Sequence, residues 1–243
     1  MLNKDFKKDL QIFVDKLSSK ENFAFVRFSD GEVDILKNIQ LTISDNYVIE
    51  GDFKHNFGYS KEDHKHFDPQ EHAFVRERLI NSFTFSKKNY YTGIPCPCCI
   101  GGLPNHTAVK RSTNKTNEFL TWANLFVNGN YASFIETVVP AISNRKVVMV
   151  CSKNADLEKA KEELNLNIVK DFRVGKNCIV NDHHLVDEIK KWIKNNSIED
   201  HVFLFSASSL SEILIHELFK DYDNNTYLDI GTTLHPFFNL GYE

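Results

Sequence analysis

The sequence predicts an α/β fold: a Rossmann-like, mostly parallel sheet with helices on both faces. Three observations carry this expectation. Residues 146–151, 167–172, 202–206 and 227–230 are short apolar runs, and helix-length segments with helical periodicity separate them. Strands alternating with helices imply right-handed crossovers and hence parallel pairing. Near the N-terminus, Phe23-Ala24-Phe25-Val26-Arg27-Phe28 reads as a further buried strand that breaks off in Ser29-Asp30-Gly31-Glu32. Finally, 243 residues with 42% hydrophobic and 26% charged content have the size and composition of one globular domain.

The elements follow in chain order. Leu2, Phe6, Leu10, Phe13, Val14 and Leu17 share one face of a first helix. That face is expected to pack on the core; peripheral attachment to the inner face of a membrane is the minor alternative. The strand to Phe28 leads into a helix over 32–38. Residues 45–72 are polar and rich in histidine, and predict an irregular excursion that serves as a lid. A helix over 73–83 and a strand over 89–94 come next. A polar loop over 110–115 precedes helices over 116–126 and 131–141. The chain is expected to form a single domain over 1–243, with Asn144-Arg145 as the place for a subdomain boundary. Beyond it, helices over 156–164, 184–195 and 210–219 alternate with the four strands.

Ser29-Asp30-Gly31-Glu32 stands at a strand's carboxyl end, where open α/β sheets hold ligands. In extended backbone, Asp30 and Glu32 point to the same side. Gly31 between them lets the chain turn. Two converging carboxylates repel unless a cation lies between them, and hard oxygen ligands favour Mg²⁺ or Mn²⁺. The same residues also suit a helix start, with Asp30 as cap and Glu32 in the first turn. The two readings are compatible.

This segment resembles the signature of the GT-D-type glycosyltransferases, a bacterial family whose motif reads roughly F-V-R-F-G-D-G-E. Ser29 stands where glycine is usual. Tyr91-Thr92-Gly93-Ile94-Pro95, Val150-Cys151-Ser152-Lys153-Asn154-Ala155 and Tyr227-Leu228-Asp229-Ile230-Gly231 resemble three further blocks. The resemblance implies a metal-dependent transferase. Asp30 and Glu32 would hold Mn²⁺ or Mg²⁺ on the diphosphate of a nucleotide-sugar donor, with a UDP-sugar favoured. Arg27, Ser29 and Gly31 would lie beside that donor. The acceptor would be a glycan or glycoprotein.

Other strand ends add candidates. Ser206-Ala207-Ser208-Ser209 leads from a strand into a helix, so Ser206 and Ser208 suit either phosphate binding or capping. Asp229 ends the last strand, and His235 follows it as an acid–base or metal-ligating candidate. Asp182 is expected to cap the next helix, with His183 as a further candidate base. Arg173 and Lys176 could add positive charge.

Two alternatives stay open: a nucleotide-binding module without transferase activity, and a zinc-binding interaction protein built on Cys96, Cys98, Cys99 and His106. Zinc would need thiolates there; the alternative is packed, reduced cysteines.

Several classes are excluded. G-x-G-x-x-G, G-x-x-x-x-G-K-[ST] and G-x-S-x-G do not occur, which disfavours dinucleotide dehydrogenases, P-loop ATPases and serine hydrolases. A net charge of −4 argues against a nucleic-acid partner. No apolar run reaches the length of a membrane span. Five cysteines and an N-terminus without an apolar leader point to the cytoplasm.

Overall fold

The structure is a computed structural model that describes residues 6–44, 47–55, 64–97, 102–113 and 115–240. Helix α1 (Phe6–Ser18) leads into β1 (Ala24–Arg27) and α2 (Asp30–Leu36). Four three-residue strands follow: β2 (Leu41–Ile43), β3 (Val48–Glu50), β4 (Phe53–His55) and β5 (Lys65–Phe67). After α3 (Ala73–Thr84) come β6 (Tyr90–Ile94), α4 (Gly102–Ser112) and β7 (Leu120–Trp122). Then α5 (Tyr131–Ser133), a π-helical turn (Phe134–Val138) and α6 (Val139–Ile142) form one helical segment. The rest alternates: β8 (Val147–Ser152), α7 (Leu157–Leu164), β9 (Ile168–Val174), α8 (Cys178–Asn181), α9 (Leu185–Asn195), β10 (Val202–Ser206), α10 (Leu210–Asp221) and β11 (Thr226–Asp229). A 3₁₀ turn at His235–Phe238 closes the described chain.

Seven strands form one sheet in the order β7-β6-β1-β11-β10-β8-β9, and every pair in it is parallel. The α/β expectation therefore holds. Buried parallel strands are apolar on both faces, and alternation along them divides the core. Val148, Val150, Phe203 and Phe205 join Ala24 and Val26 in one cluster with α3, α9 and α10. Val147, Met149, Val202 and Leu204 join Phe23 and Phe25 in the other, with α1, the 131–142 segment and α7. Helices thus cover both faces. The central strands β1, β11 and β10 end side by side, with Phe205 level with Asp229 and Arg27 level with Gly93.

Three local expectations are corrected. The helix over 116–126 is instead a 3₁₀ turn (Asn117–Phe119) followed by β7. Pairing of Leu120, Thr121 and Trp122 with β6 overrides local propensity. Gly93 permits it, because a Cβ there would lie 2.9 Å from the Ala123 Cα. The excursion over 45–72 is not wholly irregular. Its described part contains β3 to β5, which with β2 form an antiparallel sheet ordered β4-β3-β2-β5, with Leu41, Ile43, Val48 and Phe67 buried. Asp182 does not cap α9. Its Oδ2 accepts the Gly175 N–H at 2.7 Å and closes the turn after β9, while His184 occupies the N-cap position.

The π turn has a local cause. Pro140 has no N–H to return to the preceding turn, and the Val139 N–H reaches back five residues to the Phe134 carbonyl. No helix among the described residues is long and apolar enough to cross a membrane.

Candidate functional site

Arg27 ends β1, and its neighbour on β11 is the strand that ends in Asp229. Arg27 Nε lies 3.4 Å from Asp229 Oδ2. Asp229 Oδ1 accepts the Gly231 N–H at 2.9 Å. Gly231 has φ +50, and a Cβ there would stand 2.6 Å from Arg27 Nη1. The Asp229-Ile230-Gly231 sequence therefore builds a carboxylate and a bare turn against which the guanidinium lies. Burial opposes the charge on Arg27, but Asp229, Glu32 and Glu212 more than offset this and hold its pKa above the usual value.

Ser29 precedes α2 in extended conformation as its N-cap. The Ser29 N–H donates to Glu32 Oε2 at 3.0 Å, the carboxylate half of a capping box. Glu32 is 6% exposed, and its Oε1 faces Lys65 Nζ at 3.4 Å. The Ser209 hydroxyl also donates to Glu32 and accepts from Lys65 Nζ at 2.7 Å. Burial would raise the Glu32 pKa; Lys65, Ser209, Arg27 and the Ser29 N–H together lower it below the usual carboxylate value. Asp30 Oδ1 instead accepts from Asn105 Nδ2 at 2.9 Å, and Asn105 Oδ1 accepts from Lys37 Nζ at 2.5 Å.

The expected convergence of Asp30 and Glu32 rested on extended backbone. The helix begins at Asp30, and residues two apart on a helix do not face each other. The two carboxylates accordingly have separate partners. Among the described residues, no group of three or more His, Cys, Asp or Glu side chains is placed to share a metal ion. Glu32 is already matched by a lysine and is a poor fit as a metal ligand. Asp30, partly exposed and bonded to a neutral amide, fits better.

On the other side of the strand ends, Ser206 Oγ lies 3.3 Å from His235 Nε2. The structure thus unites two candidates separated by 29 residues. Ser208 takes a left-handed conformation with φ 49 in the turn before α10. The Ala207 N–H donates to Ser211 Oγ at 3.2 Å. Arg27, Asp229, the Ser29 cap with Glu32, the Ser206–Ser209 turn and His235 therefore surround the carboxyl ends of β1, β10 and β11.

No family model matches the chain, and no curated protein matches it. Two solved structures are similar to it, each at 12% identity over 92% of this chain and 77% of the other. One is described as a selenomethionine-substituted structure of domain of unknown function 1792, with a TM-score of 0.58. The other, at 0.54, is described as showing that this highly conserved domain has a distinct glycosyltransferase fold. The fold is glycosyltransferase-like. At this identity the likeness concerns the fold.

Some candidates lie apart from this crevice. His183 is held by Arg78, at 2.6 Å from Nδ1, and by the Ile179 carbonyl at 2.6 Å from Nε2. Arg173 pairs with Asp171 and donates to the Ser152 and Ala155 carbonyls. Cys96 is disulfide-bonded, so it is neither a reduced thiol nor a zinc thiolate. Cys98 and Cys99 lie outside the described residues. His106 bonds the Pro95 carbonyl through Nδ1 and packs on Trp122.

Lys65, Asn105 and Glu212 escaped the sequence reading. For Glu212 a signal existed: it is an acid set among Leu210, Ile213, Leu214 and Ile215, and it is 1% exposed.

Proposed function

We propose that the protein is a glycosyltransferase whose donor, a nucleotide-diphospho-sugar with a UDP-sugar favoured, lies in the crevice at the carboxyl ends of β1, β10 and β11. One observation carries this reading. A half-buried arginine, a serine-rich turn at a helix start and a histidine converge there, on a fold like one described for glycosyltransferases. Arg27 is the cation placed for the diphosphate, and the Ser206–Ser209 turn offers hydroxyls and backbone N–H groups to it. Asp30 would be the carboxylate that holds Mn²⁺ or Mg²⁺; such an ion, when bound, would supply Lewis-acid neutralisation of the leaving diphosphate. Glu32 would join it only by giving up Lys65.

The acceptor is a hydroxyl of a glycan or glycoprotein. Its oxygen attacks the anomeric carbon, the bond to the diphosphate breaks, and the nucleoside diphosphate leaves with the electron pair. His235, oriented by Ser206, takes the acceptor proton. Asp229 is committed to Arg27 and Gly231, and serves to position them rather than as the base.

Release of nucleoside diphosphate from a panel of UDP- and GDP-sugars tests the reading, with simple glycosides as acceptors. The expected result is turnover with one donor class, with kcat reduced about 100-fold in His235→Ala and KM little changed. Nucleotide binding without turnover on any donor would instead favour a non-catalytic nucleotide-binding module.

A further inference from the structure

The small antiparallel sheet sends a lysine against one acid of the Asp30-Gly31-Glu32 segment. Lys65 lies in β5 and is 4% exposed. Its Nζ donates to Ser209 Oγ at 2.7 Å and faces Glu32 Oε1 at 3.4 Å. The Ser209 hydroxyl donates in turn to Glu32 Oε1. The other oxygen, Oε2, accepts the Ser29 N–H at 3.0 Å. Both oxygens of Glu32 are therefore engaged, one of them by an ammonium. All three side chains are buried, and they come from α2, β5 and the turn before α10.

The backbone holds the ammonium in place. Both neighbours of Lys65 are tied to Asn177: the His66 N–H donates to Asn177 Oδ1 at 2.9 Å, and the Asn177 N–H donates to the His64 carbonyl at 2.9 Å. Within the small sheet Lys65 is level with Ile43, and Leu41 is level with Phe67; Leu41, Ile43 and Phe67 are buried. A shift of β5 would turn that apolar register out of the core. Gly31 fits the same picture. Its φ is not left-handed, so the helix start does not require a glycine. A Cβ there would instead lie 3.4 Å from Lys65 Nζ and 3.5 Å from Leu41 Cδ2. The glycine between the two acids keeps the place of the ammonium clear.

A divalent ion on Glu32 would need a carboxylate oxygen at about 2 Å. Beside Oε1 that ion would press on the ammonium, in a buried site where like charges are weakly screened. We propose that Lys65 is a built-in cation in the place of a divalent metal at Glu32. It withholds this carboxylate from Mn²⁺ and Mg²⁺ and supplies a fixed positive charge beside the Ser206–Ser209 turn. Of the two acids, Asp30 alone is left for a metal. The use of the fixed charge toward a donor diphosphate rests on the function proposed above. The exclusion of metal from Glu32 does not.

Mn²⁺ titration of the protein without nucleotide, followed by electron paramagnetic resonance, tests the proposal. Wild type and Glu32→Gln are expected to hold Mn²⁺ alike. Lys65→Ala is expected to bind it about tenfold more tightly or better, and Lys65→Ala combined with Glu32→Gln to lose that gain. Mn²⁺ should also raise the urea midpoint of Lys65→Ala more than that of wild type. Wild-type affinity that falls about tenfold in Glu32→Gln overturns the proposal, as does a folded Lys65→Ala that gains nothing. If a variant does not fold, the wild type decides: Mg²⁺ is expected to leave the Glu32 carboxyl ¹³C resonance in place, and a resonance that moves overturns the proposal. Equal Mn²⁺ binding by wild type and Glu32→Gln, without UDP binding by the wild type, upholds the lysine and defeats the donor reading.

Discussion

Gly231 owes its identity to Arg27 as much as to its own backbone. At φ +50 a side chain is disfavoured, and a Cβ would press 2.6 Å from Arg27 Nη1. Gly231→Ala is expected to cost about 1–3 kcal/mol, measured by urea denaturation, and to weaken ligand binding by displacing the guanidinium. Lys65 carries a second prediction. Lys65 and Glu32 are 4% and 6% exposed, so Lys65→Met strands a buried carboxylate and is expected to cost roughly 3–5 kcal/mol near neutral pH. The folded Glu32 pKa lies below its ordinary 4.5. Stabilisation by this pair is therefore complete above about pH 4.5 and is lost as the pH falls through the folded value. The gap between wild type and Lys65→Met should accordingly narrow on acidification below about pH 4.5; a gap that widens there would contradict the pairing.

The elements differ in how far the sequence discloses them. Helix α7 is set by its own residues: Asp156 Oδ1 accepts the Lys159 N–H at 3.2 Å as an N-cap. Asp156 Oδ2 also accepts from Asn239 Nδ2 at 2.9 Å and ties the helix to the chain's last described turn. Asp156→Ala is expected to cost about 1 kcal/mol, read from the shift in urea midpoint at constant slope. The strand–helix alternation after residue 146 was legible because each element carries its own hydrophobic periodicity. Strand β7 was not, because Leu120-Thr121-Trp122 becomes a strand through pairing with β6, which no local pattern announces. The three-residue strands of the small antiparallel sheet are too short for alternation to register. In the site, Arg27, Asp229, Ser206 and His235 were legible as residues at strand ends. The partners Lys65, Asn105 and Glu212 come from remote positions and meet the site only through tertiary packing. The convergence of Asp30 and Glu32 failed because the helix starts at Asp30, two residues before the expected start at Glu32, so the D-x-E segment is helical and not extended.

At the scale of the whole molecule, the parallel sheet brings β1, β11 and β10 together although β1 precedes β10 by the length of most of the chain. That order places an arginine from one end of the sequence against an aspartate from the other. The crevice is thus completed only by the folded chain, and in the function proposed above its hold on an anion would rest on Arg27. Calorimetric titration with UDP, in Mn²⁺ and in EDTA, tests this most directly when run on wild type, Arg27→Ala and Asp30→Ala. The expected result is saturable binding by wild type, at least tenfold weaker in Arg27→Ala under both conditions. Asp30→Ala is expected to remove only the part of the affinity that Mn²⁺ adds. Wild-type binding that survives Arg27→Ala unchanged, in a protein shown to be folded, would contradict the placement of the donor diphosphate at the end of β1.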